Sequence, residues 1–158
     1  MYMAAEVVKS ILVVCLGNIC RSPTGEAVLR KKAQQLELPI KVDSAGTIGF
    51  HQGKKPDPRS RSAAEQRGYV FDGIVSRQIS QKDFEDFDLI LAADKDNMED
   101  LIVSCPQQYR HKIKLFLSYS DSSYTEIPDP YYGGEQGFEL VLDLIEDAAD
   151  GILASTQK

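Results

Sequence analysis

The chain has 158 residues, 42% hydrophobic and 27% charged, with a formal net charge of −6. This acidic balance argues against bulk nucleic-acid binding, which requires a basic face, but it is compatible with a local site for an anionic substrate. The three sparse cysteines do not resemble the disulfide framework of a secreted domain, and we find neither a membrane span nor a signal peptide. We therefore expect a cytoplasmic protein without membrane insertion, with a short extension at residues 1–10 and one domain at residues 11–158.

Short apolar runs alternate with amphipathic segments along the chain, a pattern typical of a parallel α/β sheet. Strands are predicted at residues 11–15, 40–44, 88–93 and 113–116, and helices at residues 22–36, 59–67, 80–87, 94–104 and 138–152. Ser22 is predicted to cap the first helix and Ser80 the third. Residues 46–58 and 117–134 are predicted to form loops.

The stretch VCLGNICRSP at residues 14–23 combines a strand end, a glycine-bearing loop and a helix N-terminus. Such a loop binds phosphate through backbone N–H groups and the helix dipole, which also favours the thiolate form of Cys15. Arg21 can hold two phosphate oxygens through its planar guanidinium, while Asn18 and Ser22 can brace the loop or donate to the sulfur. The residues thus fit a nucleophile in an oxyanion site, with a buried structural cysteine as the alternative.

A zinc site would need at least two ligands besides the cysteines of this stretch. The residues that could supply them, Cys105, His51 and His111, show no usable ligand spacing, so a zinc site is disfavoured. The stretch IPDPYYGG at residues 127–134 instead adds an acid between two prolines. Asp129 could protonate the leaving oxygen of a phosphate ester, and the two tyrosines that follow could flank an aromatic leaving group. The alternative is a Pro-Gly turn with surface tyrosines.

These two stretches, with DSAGT at 43–47, SRQIS at 76–80 and FDLILAAD at 87–94, resemble the low-molecular-weight protein tyrosine phosphatase family. The resemblance implies a three-layer sandwich: a four-stranded parallel sheet with helices on both faces and a phosphate-binding loop after the first strand. It also implies that Cys15 attacks phosphorus in phosphotyrosine-containing proteins to give a cysteinyl-phosphate, with Asp129 as acid and then base. Neither a metal nor a cofactor is implied. The phosphate would be held by Arg21 and by the loop residues Leu16, Gly17, Asn18, Ile19, Cys20 and Ser22.

The resemblance also assigns the walls of the substrate slot. Phe50 matches an aromatic wall of the family, and Tyr131 and Tyr132 would form the opposite wall. Ile19 is apolar where relatives acting on phosphoarginine carry threonine, which favours phosphotyrosine. Cys20 matches a second loop cysteine that can form a reversible disulfide with the oxidised nucleophile, although simple packing explains it equally well.

Two positions depart from the family pattern: Gly25 stands where the family usually has alanine, and Ile74 stands where many relatives place a histidine that supports the Asn and Ser network under the loop. We therefore expect this network to close differently here. A second open question is the basic segment with Lys54, Lys55, Arg59 and Arg61, which is either a solvated loop or a rim that attracts acidic phosphopeptides.

Two other functions compete with phosphatase activity. An arsenate reductase on the same fold would need further cysteines as an electron relay, and Cys105 alone is a poor one. A module that binds phosphorylated partners without turnover would not need Asp129. The sequence leaves the oligomeric state and the physiological substrate open.

Overall fold

The central strand of the sheet owes its position to an unbroken apolar run. In the computed structural model, which describes residues 7–130 and 135–157, strand β1 (Ser10–Cys15) is buried on both faces. It pairs in parallel with β2 (Lys41–Gly46) on one side and with β3 (Leu89–Ala92) on the other. Strand β4 (Ile113–Leu115) completes a sheet of order β2-β1-β3-β4, so the predicted four-stranded parallel sheet is confirmed.

The alternation of side chains along β1 divides the core in two. Ile11 and Val13 face the helices α1 (Arg21–Gln35), α2 (Pro58–Glu65) and α5 (Glu135–Ser155). Leu12 and Val14 face the opposite layer, which contains α3 (Gln81–Asp86) and α4 (Lys95–Ser104). This is the three-layer sandwich that the resemblance implied.

Two predicted helix starts have different outcomes. Ser80 caps α3 as predicted, in a capping box with Asp83. The prediction for Ser22 is wrong: α1 begins at Arg21, Cys20 occupies the N-cap position, and no side chain caps it. The Ser22 hydroxyl lies inside the first turn, and it is engaged with Asn18 and Cys15 instead.

The remaining differences concern short elements. A 3-10 helix at Gln107–Lys112 was not predicted, and another at Phe116–Tyr119 occupies the start of the predicted loop 117–134. The last helix begins at Glu135, three residues before its predicted start. Within the described residues, no helix combines the length and apolarity needed to cross a bilayer. Since residues 1–6 lie outside the described part, the predicted N-terminal extension stays a prediction.

Candidate active site

The candidate site lies at the carboxyl end of β1, which has β2 on one side and β3 on the other, so the strand order reverses at this point of the sheet. Parallel α/β sheets bind ligands at such a switch point, beyond the carboxyl ends of the strands. The loop at residues 16–20 occupies this position and leads into α1. The strand-loop-helix arrangement predicted from the sequence is therefore present.

The carbonyl groups of this loop are held from outside by distant segments. The carbonyl of Cys15 accepts a hydrogen bond from the Thr47 amide (2.9 Å), and that of Leu16 accepts from the Ile48 amide (3.1 Å). The carbonyl of Gly17 accepts from the Ser76 hydroxyl (2.9 Å), and that of Ile19 accepts from the Asp57 amide (2.7 Å). In a trans peptide the N–H points opposite to the C=O. With these carbonyls turned outward, the amides that follow them point into the loop, which is the orientation an oxyanion requires.

Asn18 gives the loop its shape, because its backbone adopts the left-handed region with φ of 57°. Asparagine tolerates this region better than most residues. Its side chain is 1% exposed and donates to Ser22 Oγ at 2.7 Å and to Ser44 Oγ at 3.0 Å, while its Oδ1 accepts from the Arg77 amide at 3.0 Å. The predicted bracing role of Asn18 thus has a specific geometry.

Cys15 lies at the base of the loop and is 3% exposed. Its Sγ is 3.0 Å from Ser22 Oγ and 3.4 Å from the Ser22 amide, which is in the first turn of α1. The Ser22 amide donates to the sulfur, the Ser22 hydroxyl lies within hydrogen-bond distance of it, and the positive end of the helix dipole faces it. Such surroundings favour negative charge on a sulfur.

Arg21 connects the loop to two other segments. Its Nη1 donates to Asp94 Oδ2 at 2.7 Å and to the Ile127 carbonyl at 3.0 Å, and the side chain is 5% exposed. Burial alone would lower the pKa of Arg21, but negative charge on Cys15 and the contact with Asp94 raise it. The guanidinium is thus a permanent cation at the site.

Asp129 reaches the same cavity from the far end of the chain. Its Oδ2 lies 3.8 Å from Arg21 Nη2, and 41% of its side chain is exposed. A cavity of about 270 Å³ is lined by Cys15, Arg21 and Asp129 together with Leu16, Gly17, Ile19, Cys20, Ile48, Phe50 and His51. The three residues predicted to react therefore share one cavity.

The predicted slot can be followed on one side. Phe50 is 77% exposed at the mouth, and its ring meets that of His51 edge to face at a centroid distance of 4.9 Å. Tyr131 and Tyr132 lie outside the described residues, so the opposite wall stays a prediction.

The basic segment beside the mouth is partly neutralised by its own neighbours. Lys54 and Lys55 are exposed, whereas Arg59 pairs with Asp57 at 3.2 Å and Arg61 pairs with Glu65 at 3.1 Å.

The other two cysteines differ in their surroundings. Burial, with the negative charges of Asp57, Cys15 and Asp129, raises the pKa of Cys20 to about 12 despite a hydrogen bond with Ser60. Cys105 packs in the core on the α3 and α4 side of the sheet, with its Sγ toward the Pro106 carbonyl at 3.3 Å. Cys105 is therefore remote from the loop.

Ser44 and Glu26, which the sequence did not single out, complete the network under the loop: Ser44 Oγ lies 2.6 Å from Glu26 Oε1. Ile74 is buried in the apolar core, so the network closes without a side chain at that position, as expected. For Asp94 the sequence predicted only the start of a helix at residues 94–104 and the end of a family segment; the structure shows that it caps α4 through the Asn97 amide at 2.7 Å and also contacts Arg21. Its position as a polar residue directly after a buried strand was the available signal.

Comparison with known proteins gives a consistent result. A family model described as low molecular weight phosphotyrosine protein phosphatase matches residues 10–158. A putative low molecular weight protein-tyrosine-phosphatase of Synechocystis sp. is 45% identical over 152 residues, which cover 94% of this chain and 96% of that protein. The low molecular weight phosphotyrosine protein phosphatase of Homo sapiens is 43% identical over 143 residues, which cover 88% and 90%. The crystal structure of a protein tyrosine phosphatase from Entamoeba histolytica, with Hepes in its active site, matches with a TM-score of 0.91 at 44% identity and covers 94% of this chain and 96% of that one.

Proposed function

Because the chain belongs to the low molecular weight phosphotyrosine protein phosphatase family, we propose that it hydrolyses phosphotyrosine in proteins through a cysteinyl-phosphate intermediate. The observation that carries this proposal is the shared cavity of Cys15, Arg21 and Asp129. A nucleophile, a fixed cation and an exposed carboxyl group are the three parts that thiolate attack on an aryl phosphate needs.

In the first step, Cys15 Sγ attacks phosphorus and the bond to the tyrosine oxygen breaks. Asp129 gives its proton to the departing oxygen, which leaves as neutral tyrosine. Arg21 and the inward amides of the loop bind the three equatorial oxygens of the phosphoryl group, over which its negative charge is spread in the transition state.

In the second step, Asp129 takes a proton from water as the water oxygen attacks phosphorus and the S–P bond breaks. Inorganic phosphate leaves, and Cys15 returns to the thiolate. The two donors from Ser22 stabilise the sulfur as a leaving group here. The Ser22 hydroxyl therefore assists the departure of the sulfur in the second step.

The slot and the loop together favour an aromatic phosphate ester. Phe50 offers an exposed ring beside the cavity, and Ile19 offers an apolar side chain within the loop. These residues support phosphotyrosine over phosphoserine and phosphoarginine.

The experiment is a phosphatase assay with phosphotyrosine, phosphoserine and phosphoarginine peptides of one sequence. Cys15→Ser should abolish turnover and retain binding of inorganic phosphate, whereas Cys105→Ser is the matched control and should retain turnover. Equal rates on the three peptides, or turnover by Cys15→Ser, would contradict the proposal.

Cys20 offers redox control of the same site. A peroxide converts the Cys15 thiolate to a sulfenic acid, and attack by the Cys20 sulfur forms a disulfide and releases water. Its position in the same loop supports this role. Mild peroxide followed by mass spectrometry should give a Cys15–Cys20 linkage, and its absence would leave Cys20 as a packing residue.

The sparse cysteine content supports a reducing, cytoplasmic location, which cell fractionation would test.

A further inference from the structure

The hydrogen atoms of the loop network can be assigned from its heavy atoms. The Arg77 amide can only donate, so the Asn18 atom facing it at 3.0 Å is the acceptor Oδ1. The Asn18 nitrogen then faces Ser22 Oγ at 2.7 Å and Ser44 Oγ at 3.0 Å. Both of its hydrogens are used, and both hydroxyl oxygens act as acceptors toward Asn18.

Each serine hydroxyl has one hydrogen of its own, which must be donated away from Asn18. For Ser44 the acceptor is Glu26 Oε1 at 2.6 Å. For Ser22 the nearest acceptor is Cys15 Sγ at 3.0 Å, since the Ala45 carbonyl is farther away at 3.4 Å. The network therefore has a direction, with Glu26 at one end and the sulfur at the other.

Glu26 is an unusual residue for its position. It lies on α1, only 2% exposed, and burial raises its pKa against the opposing effects of Ser44, Arg30 and Arg77. The charged groups around it are Arg30 on its own helix, Asp43 and Lys41 on β2, and Arg77 beyond. An apolar side chain would be cheaper to bury here.

Glu26 also lines a groove of about 470 Å³ that is separate from the candidate active site. The groove is walled by Ile74 and Val42 and opens beside the edge strand β2. The far end of the network thus lies beside a groove that shares no lining residue with the candidate active-site cavity.

We propose that Glu26 is a positioning residue for the phosphatase reaction, acting through Ser44 and Asn18 to keep the Ser22 hydroxyl donating to Cys15. As the acceptor for Ser44, Glu26 prevents that hydroxyl from turning its hydrogen toward Asn18. Without the acceptor, the Asn18 nitrogen loses one of the two hydroxyl oxygens that accept from it, and the orientation of Ser22 toward the sulfur is no longer fixed. This role depends on the proposed function of Cys15 as the nucleophile.

The test measures the rate of Cys15 alkylation by iodoacetamide against pH, with mass spectrometry to identify the modified cysteine. Glu26→Leu and Ser44→Ala should each move the midpoint of the profile upward by about one pH unit, the effect of one hydrogen bond to a charged group. Each should lower kcat by about tenfold with little change in KM, because the donor acts on the sulfur and not on substrate binding. Leu29→Ala, a buried change on the same helix, is the matched control for lost stability.

Direct electrostatics makes the opposite prediction, because removal of a negative charge near a thiolate should move the midpoint downward. Glu26→Gln, which keeps the shape and a neutral acceptor, should still move it upward, by less than Glu26→Leu does. In the Ser44→Ala background, Glu26→Gln should have no further effect, because both residues act through one network.

Three results would overturn the proposal: a downward shift, an unchanged midpoint in Ser44→Ala, or a Glu26→Leu profile equal to that of Leu29→Ala. If Glu26→Leu does not fold, Ser44→Ala and Glu26→Gln decide the question. Alkylation needs no substrate, so a wild-type protein that fails to hydrolyse phosphotyrosine would refute the proposed function without deciding this one.

Discussion

Replacing Asp94 by serine would test how much of the site depends on a fixed arginine. Asp94 does two things: Oδ2 accepts from Arg21 Nη1 at 2.7 Å, and Oδ1 accepts from the Asn97 amide at 2.7 Å as the cap of α4. Serine is a good N-cap but is too short to replace the contact with Arg21. The variant therefore isolates the contact with Arg21 from the capping of the helix.

The expected loss of stability follows from the surroundings of Arg21. A hydrogen bond to a charged group contributes about 1.5–3 kcal/mol, and removing one member of a fully buried pair costs about 3–5 kcal/mol. In the variant the guanidinium keeps its hydrogen bond to the Ile127 carbonyl. Because the Asp94 side chain is 20% exposed, water can take the place of its carboxylate beside Arg21. We expect a loss near the lower value, about 2 kcal/mol, which lowers Tm by about 4–8 °C in a domain of this size.

The kinetic effect should be larger than the loss of stability suggests. Arg21 would lose its alignment in the cavity, and a displacement of about 1 Å can cost about a hundredfold in rate. We expect kcat for an aryl phosphate to fall by about 10- to 100-fold, with weaker inhibition by inorganic phosphate.

Urea unfolding and steady-state kinetics would be measured for Asp94→Ser beside Asp96→Ser. Asp96 lies in the same first turn of α4 and is exposed, so its removal changes the charge near the helix without touching Arg21. If the two variants showed the same kcat, the contact with Asp94 would not be what holds Arg21 for catalysis.

Three further outcomes are expected. Asp129→Ala should slow phenyl phosphate by about 10²–10⁴-fold but an activated nitrophenyl ester much less, and equal losses would remove Asp129 as the acid. Gly46→Ala should lower both Tm and kcat, because its Cβ would lie 2.7 Å from the Leu16 carbonyl oxygen of the loop; a normal kcat would show that the loop adjusts without loss. Burial alone would raise the pKa of Asp83, but hydrogen bonds from Arg77 and Ser80 lower it below its ordinary value of 3.8. The stability that Asp83 contributes should be present above about pH 4 and disappear as the pH falls through its folded pKa. In urea unfolding, wild type and Asp83→Asn should then differ at about pH 7, and the difference should shrink as the pH falls below about 4; a difference that stays constant over this range would contradict the reasoning.

The parts of the fold that the sequence predicted are those encoded locally. The unbroken apolar run of β1 and the apolar stripe of α5 identify their elements without knowledge of the rest of the chain. The motif around Cys15 and Arg21 is equally local, since only five residues separate the two.

The parts that were missed depend on tertiary contacts. Serine is a residue type that often caps helices, which is why Ser22 was predicted to do so. Its hydroxyl instead makes tertiary contacts with Asn18 and Cys15, and these contacts override the local preference. Glu26 and Arg30 are four residues apart on a helix, a spacing typical of surface ion pairs. Only the fold shows that β2 covers one end of this pair and brings Ser44 to it. The contact of Arg21 with Asp94 spans 73 residues and leaves no periodic trace in the sequence.

Asn18 has a consequence for the variation that this loop can accept. The backbone at this position requires a residue that tolerates a positive φ. The side chain must itself supply one acceptor and two donor hydrogens, in surroundings that leave the residue only 1% exposed. Glycine would meet the first requirement without the second, and glutamine would meet neither well, because it is longer and disfavours that backbone region. Aspartate would tolerate the backbone but would place an acceptor where two serines each need a donor. Two unrelated requirements thus fall on one residue position, and an amino acid that meets one of them does not thereby meet the other.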